Sequence, residues 1–236
     1  YSFLRGHNGT AFVYTGYDYL NEMSAGIQNI VPYIGGEIQS SEPFLTVAAN
    51  INDTVTTVRS QHVGSYNLTN ILCALTIGKH FGVPEHKMVE AIENYAPSNS
   101  RSQLITKGSN TIILDAYNAN PSSMQLAIEN FAKIDTAKKI LCIGGMRELG
   151  KESQSEHQAL IEQIKAAHFE KVILVGKEFE NCQHAFTYFE NSALAKNWLD
   201  QENFTNHFFL IKGSRGIQME KMIALDASKN KSNLGA

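Results

Sequence analysis

The stretch "TIILDAYNANPSSMQLAIENF" (residues 111–131) decides the fold of the second half of this chain. It opens on a short unbroken apolar run, crosses a polar loop, and becomes a pattern in which Met124, Ile128, Phe131 and Ile134 share one helical face. A short apolar run without alternation is a strand buried on both sides, and strands of that kind build parallel sheets. The same unit recurs. "KILCIGG" (139–145), "KVILVG" (171–176) and "HFFLIKG" (207–213) read as further strands, separated by helical patterns, one with Leu160, Ile161 and Ile164 on its apolar face. Strands alternating with amphipathic helices predict a mostly parallel α/β sheet covered on both faces. Ahead of "TIILD", "SQLIT" and the turn Lys107-Gly108-Ser109-Asn110 predict a hairpin.

Upstream the pattern differs. "AFVYTG" (11–16), "NIVPYIG" (29–35) and "PFLTVAANI" (43–51) read as strands, and "TVTTVRS" (54–60) follows an Asn52-Asp53 turn as a hairpin partner. Leu68, Ile71, Leu72 and Leu75 then recur at helical spacing, and a second helix after Pro84 carries Met88, Val89, Ile92 and Tyr95 on one face. The breaker-rich "PSNS" (97–100) marks a domain boundary, giving domains at 1–100 and 101–236.

The chain has 236 residues with 43% hydrophobic and 18% charged, enough apolar surface for real cores and too little charge for a disordered segment. A net charge of -3 leaves no basic excess to neutralise phosphates, which argues against nucleic acid and anionic membranes as partners. No apolar run approaches the roughly 18 residues of a transmembrane helix, and no signal segment opens the chain. Cys73, Cys142 and Cys182 are scattered, without a CxxC pair, so buried free thiols in a reducing compartment are expected and a zinc site is not. Tyr1 leads directly into structured-looking sequence, so the chain is expected to be part of a longer protein.

In a parallel sheet, ligands bind beyond the carboxyl ends of the strands, and that edge collects the unusual loops. "LDAYNANP" leaves the first parallel strand. Pro121 suits a first helical turn and Asn120 or Ser122 is placed to cap it, but capping does not account for Asp115, Tyr117 and Asn118. A carboxylate at a strand end is a natural partner for a ribose hydroxyl. In "GGMRELG" (144–150), Gly144 and Gly145 permit a tight turn with backbone N–H groups free for an anion, or simply a glycine turn. The loop is not GxGxxG, which disfavours a nicotinamide-dependent oxidoreductase. "KGSRG" (212–216) gathers Lys212, Ser214 and Arg215, a set suited to a carboxylate or phosphate, against the alternative of a solvated basic turn. In "GSYNLTN" (64–70), Asn67 and Asn70 lie one helical turn apart. They are placed to hydrogen-bond a purine edge or to cap the helix. Arg101 sits at the boundary, a phosphate ligand or a surface arginine.

Taken in order, "GSYNLTNILCALTIGKHFGV", "NSRSQ", "DAYNANPSSM", "GGMRELG" and "IKGSRGIQME" resemble segments of the Mur ligase family. The resemblance spans residues 64 to 220 and is to the branch that adds D-alanyl-D-alanine. It implies part of a central ATPase-type α/β domain followed by a Rossmann-like, mostly parallel-sheet C-terminal ligase domain. It further implies ATP and Mg2+ as cofactors, UDP-N-acetylmuramoyl-tripeptide and D-Ala-D-Ala as substrates, a monomer, and a bacterial cytoplasmic setting in peptidoglycan precursor synthesis. By resemblance, Asn67 and Asn70 would face the adenine, Arg101 the phosphates and Asp115 the ribose, with Tyr117 and Asn118 near the nucleotide or acceptor. Asn120, Gly144, Gly145, Met146, Glu148, Lys212, Ser214 and Arg215 would hold the incoming dipeptide. The departures are equally specific. The family's P-loop, G-x-x-G-K-[ST], has no counterpart, since "SSEPF" and "HNGTAF" do not match it, so this chain alone is expected to hydrolyse no ATP. No residue is assigned to a carbamylated lysine, to catalysis or to Mg2+. Tyr66 stands where many relatives have histidine, and "GGM" replaces "GDM", so Gly145 lacks a carboxylate the family often has. The alternative class is a non-catalytic nucleotide-binding or interaction module on a doubly wound scaffold.

Overall fold

The computed structural model describes residues 1–41, 43–98, 100–136 and 138–223. Glu42 of "SSEPF", Asn99 of "PSNS" and "NSRSQ", and the last residues of the 101–236 domain lie outside the described residues. The chain divides into two compact units, Tyr1–Ala96 and Pro97–Ala236.

The first unit runs α1 (Ser2–Gly6), β1 (Thr10–Val13), α2 (Asp18–Ser24), β2 (Asn29–Pro32), β3 (Gly36–Ser40), β4 (Thr46–Ile51), β5 (Thr54–Arg59), α3 (Leu68–His80) and α4 (Glu85–Glu93). β1 and β2 form a parallel pair, and β3, β4 and β5 an antiparallel sheet. Ile51 pairs with Thr54, so Asn52 and Asp53 are a two-residue hairpin loop, and both take positive φ, as a type I′ turn demands. Leu45, Val47, Ala49, Ile51 and Val58 pack against Ile71, Leu72 and Leu75 of α3 and Met88 of α4. The sequence did not reveal β3, whose single apolar side chain, Ile38, is exposed, nor α1 and α2, which bury no apolar side chain to create a period. Tyr95 lies beyond α4 and stacks on His62, with ring centroids 5.4 Å apart.

The second unit runs β6 (Gln103–Lys107), β7 (Asn110–Asp115), α5 (Pro121–Lys133), β8 (Lys139–Gly144), α6 (Ser153–Ala166), β9 (Lys171–Val175), β10 (Thr187–Phe189), α7 (Ser192–Glu202) and β11 (Phe208–Lys212). Its six strands lie in the order β10-β9-β8-β11-β7-β6, all parallel except β6. The β6–β7 hairpin turns on Gly108 at φ 61°, the glycine-first geometry of a type II′ turn. Alternation along the strands sends Ile112, Leu114, Ile140, Cys142, Ile173, Val175, Phe209 and Ile211 into one core with Ala195, Met219 and Met222. Residues of opposite parity, Ile113, Leu141, Ile143, Leu174 and Leu210, are as deeply buried. Phe131 of α5 meets Phe208 edge-on at 5.7 Å on that second face. The sequence missed β10, whose three residues are only half-buried.

The last strand is inserted between the first two parallel strands. β11 pairs with β7 on one side and with β8 on the other, in register Leu210↔Ile113 and Leu210↔Leu141. The loops leaving β7, β8 and β11 therefore emerge side by side. They emerge close together as well, because a side chain on Gly213 would place its Cβ 2.8 Å from the Gly144 Cα. Backbone against backbone at that distance cannot be relieved by a rotamer change. Gly213→Ala is expected to destabilise the protein by about 1–3 kcal/mol, the range for overpacking a filled site. Chemical denaturation with midpoint and slope measured separately checks this, and an unchanged midpoint would show that the two loops are free to part.

Candidate functional site

At the carboxyl ends of β7 and β11, Asp115 and Lys212 stand in register. Lys212 Nζ donates to Asp115 Oδ2 at 2.5 Å, and the two side chains are only 3% and 13% exposed. The other carboxylate oxygen, Oδ1, accepts from the Ser102 backbone N–H at 3.1 Å, and Lys212 reaches the Asn118 carbonyl at 3.4 Å. Asp115, expected on a ribose, and Lys212, expected on a dipeptide carboxylate, thus neutralise each other. The physical reason is register: two strand-end charges on neighbouring strands, both taken out of water, have no better partner than each other.

This pair shapes the segment before β6. Ser100 and Ser102 both take positive φ, at 58° and 49°, which non-glycine residues avoid. Three hydrogen bonds hold them there: Ser102 N–H to Asp115, Ala116 N–H to the Ser100 carbonyl at 2.8 Å, and Ser100 N–H to Gln103 Oε1 at 2.8 Å. Arg101, between them, is thrown outward. Its guanidinium carbon lies 3.7 Å from the centre of the Tyr117 ring, and that of Arg215 lies 5.3 Å from the same ring. The Arg101 hydrogen bond, then the charges of Arg101 and Arg215, hold the Tyr117 phenol below its ordinary value. Two exposed guanidinium groups converging on one tyrosine are a cationic surface at the ligand edge of the sheet.

Ser214 stitches three loops. Its hydroxyl accepts from the Arg147 N–H at 2.9 Å and points to the Ala119 carbonyl at 3.5 Å, while its own N–H meets the Gly145 carbonyl at 3.2 Å. Three backbone N–H groups of the "GGMRELG" loop, where groups free for an anion were expected, are engaged. Gly145 donates to the Val175 carbonyl, Met146 to His157 Nε2 and Arg147 to Ser214. His157 Nδ1 faces the Ser153 carbonyl at 2.6 Å, so the ring carries its proton there and accepts at Nε2. Gly144, Gly145 and Met146 are buried and serve packing, while Glu148 is exposed at φ 70°. Asn120 caps α5 in a reciprocal box with Ser123. The exposed Asn118 folds its side chain onto the next backbone N–H.

In the first unit Asn67 is buried and does not cap α3. Its amide donates to the Val63 carbonyl at 2.9 Å, and Asn70, exposed, donates to Asn67 Oδ1 at 3.0 Å. Of the cysteines, all free, Cys142 is fully buried, which pushes its thiol up, whereas Cys73 and Cys182 are half-buried. Among the described residues no group of three His, Cys, Asp or Glu side chains could hold a metal ion. A groove lined by Lys107, Asn110, Leu199 and Phe204 lies at the opposite, amino-terminal edge of the sheet, away from these loops.

The model of the Mur ligase glutamate ligase domain matches residues 100–212, which cover β6 through β11 but neither the Asn67–Asn70 segment nor the turn after Lys212. Over residues 100–212 the chain is similar to the Mur ligase family. Its curated relatives include the UDP-N-acetylmuramoyl-tripeptide–D-alanyl-D-alanine ligases of Treponema pallidum, 30% identical over 67% of this chain, and of Bacillus subtilis, 28% identical over 68%. The matched parts are 36% and 38% of those proteins, so the chain spans little more than a third of their length. Among solved structures, MurF from Acinetobacter baumannii superposes with a TM-score of 0.77 at 24% identity, over 91% of this chain and 51% of that one. MurF from Thermotoga maritima in complex with ADP gives 0.77 at 20% identity, over 91% and 52%. These likenesses establish the fold.

Residues the sequence did not single out are Ser102, Arg147, His157 and Glu178. Ser102 and His157 act by backbone and ring geometry that no spacing rule reveals. Glu178 follows a strand and a glycine, as the other loops do, and could have been found by treating "VGKEF" in the same way.

Two expectations follow. Lys212→Ala leaves the Asp115 charge buried and should cost about 3–5 kcal/mol, whereas Asp115→Leu combined with Lys212→Met should recover most of that loss. Thermal or chemical unfolding of the two singles and the double checks it; a double variant as unstable as the sum of the singles would refute the pairing. Separately, the Tyr117 phenol should ionise at lower pH than an ordinary tyrosine, and Arg101→Ala should move its titration upward. Tyrosinate absorbance, taken as the difference from Tyr117→Phe, reads this directly.

Proposed function

We propose that this chain is the C-terminal part of an ATP-dependent ligase that joins D-Ala-D-Ala to UDP-N-acetylmuramoyl-tripeptide, residues 1–100 ending its central ATP-binding domain and 101–236 forming its C-terminal domain. The observation that carries the proposal is the pair of guanidinium groups on Tyr117 at the carboxyl edge of the parallel sheet. The names of the relatives and the ADP complex of one structural neighbour support it. In such a reaction a carboxylate oxygen of the tripeptide takes the γ-phosphoryl of ATP and ADP leaves. The dipeptide nitrogen then attacks the acyl carbon, loses a proton, and inorganic phosphate departs. Two kinds of anion must be held, phosphate and the carboxylate of the dipeptide, and fixed cations do this without reorganisation.

Arg101 is assigned to phosphate and Arg215 to the dipeptide carboxylate. Tyr117 holds both guanidiniums in place, and the Asp115–Lys212 pair with Ser214 fixes the loops that carry them. Asn70, anchored by Asn67, is assigned to the adenine. With no P-loop in its sequence the chain alone is taken to lack ATPase activity. A reaction drawing on ATP and a nucleotide-linked precursor belongs to the cytoplasm, and a monomer suffices for it. In the full-length protein, Arg215→Ala should raise the KM for D-Ala-D-Ala by about ten- to hundredfold, the loss of one charge-assisted hydrogen bond, with the KM for ATP little changed. Steady-state kinetics with each substrate varied in turn tests this. An equal loss toward ATP and dipeptide would assign Arg215 to structure, and absence of any D-Ala-D-Ala-dependent phosphate release in the wild type would overturn the function.

A further inference from the structure

Glu178 has no part in the roles assigned above, and its surroundings are unusual. It lies in the turn Lys177–Phe179, at the carboxyl end of β9. Its Oε2 is sealed from solvent and has no hydrogen-bond partner. A Cβ on Gly145 or on Gly176 would each come within 2.5 Å of that oxygen, so the carboxylate occupies a slot that exists only because both residues are glycines. Gly176 also takes φ 119°, a conformation that other residues rarely adopt. Its Oε1 has a loose contact, 3.6 Å to Arg147 Nε, and the Arg147 side chain is 55% exposed. An ion pair of that length and exposure is weak. The carboxylate is therefore clamped in orientation through one oxygen and under-neutralised at the other. That leaves Oε1, held only by the weak Arg147 contact, as the oxygen able to take a partner.

The sheet order supplies one. The strands run β9-β8-β11, so the Glu178 turn and the Arg215 turn leave strands two apart, about 9.5 Å between strand axes. An extended dipeptide spans roughly 7 Å between its ends, at about 3.3–3.6 Å per residue. A dipeptide laid across the ends of β8 and β11 with its carboxylate at Arg215 brings its amino group toward the end of β9. We infer that the Glu178 carboxylate binds the amino group of the incoming D-Ala-D-Ala, taking it at Oε1 in place of the loosely held Arg147. This rests on the function proposed above and adds to it the direction in which the dipeptide lies.

The test uses the full-length protein with D-Ala-D-Ala, ATP and UDP-N-acetylmuramoyl-tripeptide varied in turn. Glu178→Gln keeps the shape of the slot and removes the charge. It should raise the KM for D-Ala-D-Ala about tenfold or more, with kcat at saturating dipeptide, the KM of the other two substrates and the melting temperature little changed. Gly145→Ala pushes the same carboxylate out of its slot without removing it and should show the same selective rise; where Glu178→Gln does not fold, this variant decides. A dipeptide KM unmoved by Glu178→Gln while Arg215→Ala raises it would refute the inference and leave the proposed function standing. A general loss toward all three substrates with a lowered melting temperature would assign Glu178 to structure. A wild type that consumes no D-Ala-D-Ala would instead remove the function on which the inference rests.

Discussion

The buried pair of Asp115 and Lys212 is the constraint on which the ligand edge depends. Each is the last residue of its strand, and the two strands are neighbours only because β11 returns between β7 and β8. The pair is costly to desolvate, and its attraction alone does not guarantee a net gain in stability. What it secures is position. The Asp115 carboxylate holds the Ser102 backbone in a left-handed conformation, and that turn places Arg101 over Tyr117. On the other strand, Lys212 starts the turn that carries Ser214 and Arg215. One ion pair thus sets the geometry of two exposed cations it does not touch.

Much of this arrangement was legible in the sequence, for a simple reason. Uninterrupted apolar runs fix where strands end, and in a parallel sheet the ends of strands on one side share an edge. That rule put Asp115, Tyr117, Ser214 and Arg215 at the ends of their strands or in the loops that follow, where the structure has them. The division of labour among them was not legible. Whether Lys212 reaches a ligand or a neighbour depends on which strand lies beside β11, and strand order is not written in the apolar pattern of any one strand. Asn120 shows the same limit from the other side. Its capping box with Ser123 is local, so the cap could be anticipated as one of two options, but only the fold decides between them. Asn67 reversed its local expectation: it occupies the cap position of α3 yet donates backward to Val63, because burial leaves its amide a carbonyl to satisfy.

The glycines of "GGMRELG" teach a related point. Two adjacent glycines after a strand suggest N–H groups presented to an anion. Here neither has positive φ, and Gly145 N–H pairs with the Val175 carbonyl in continuation of the sheet. Their lack of side chains is used for proximity. Gly144 makes room for Met219 and Ile217, and Gly145 for the Glu178 carboxylate. The clash of backbone against backbone that would part these loops arises at Gly213 instead.

Charge along this edge is consequently ordered rather than scattered. Read across the sheet from β9 to β7, the exits present a carboxylate at Glu178, small or backbone groups at Gly144 and Gly145, a guanidinium at Arg215, and the neutral Asp115–Lys212 pair beneath a second guanidinium at Arg101. A ligand with one charge would be indifferent to such an order. A zwitterion would not, because reversing it would set its carboxylate against Glu178 and its ammonium against Arg215, and like charges at hydrogen-bonding distance in a partly desolvated site are strongly disfavoured. The neutrality of the Asp115–Lys212 pair belongs to the same logic. Were Lys212 free, a third cation would join Arg101 and Arg215 at this edge. By pairing that lysine with Asp115, the fold leaves the two guanidinium groups at Tyr117 as the exposed cations among these loops.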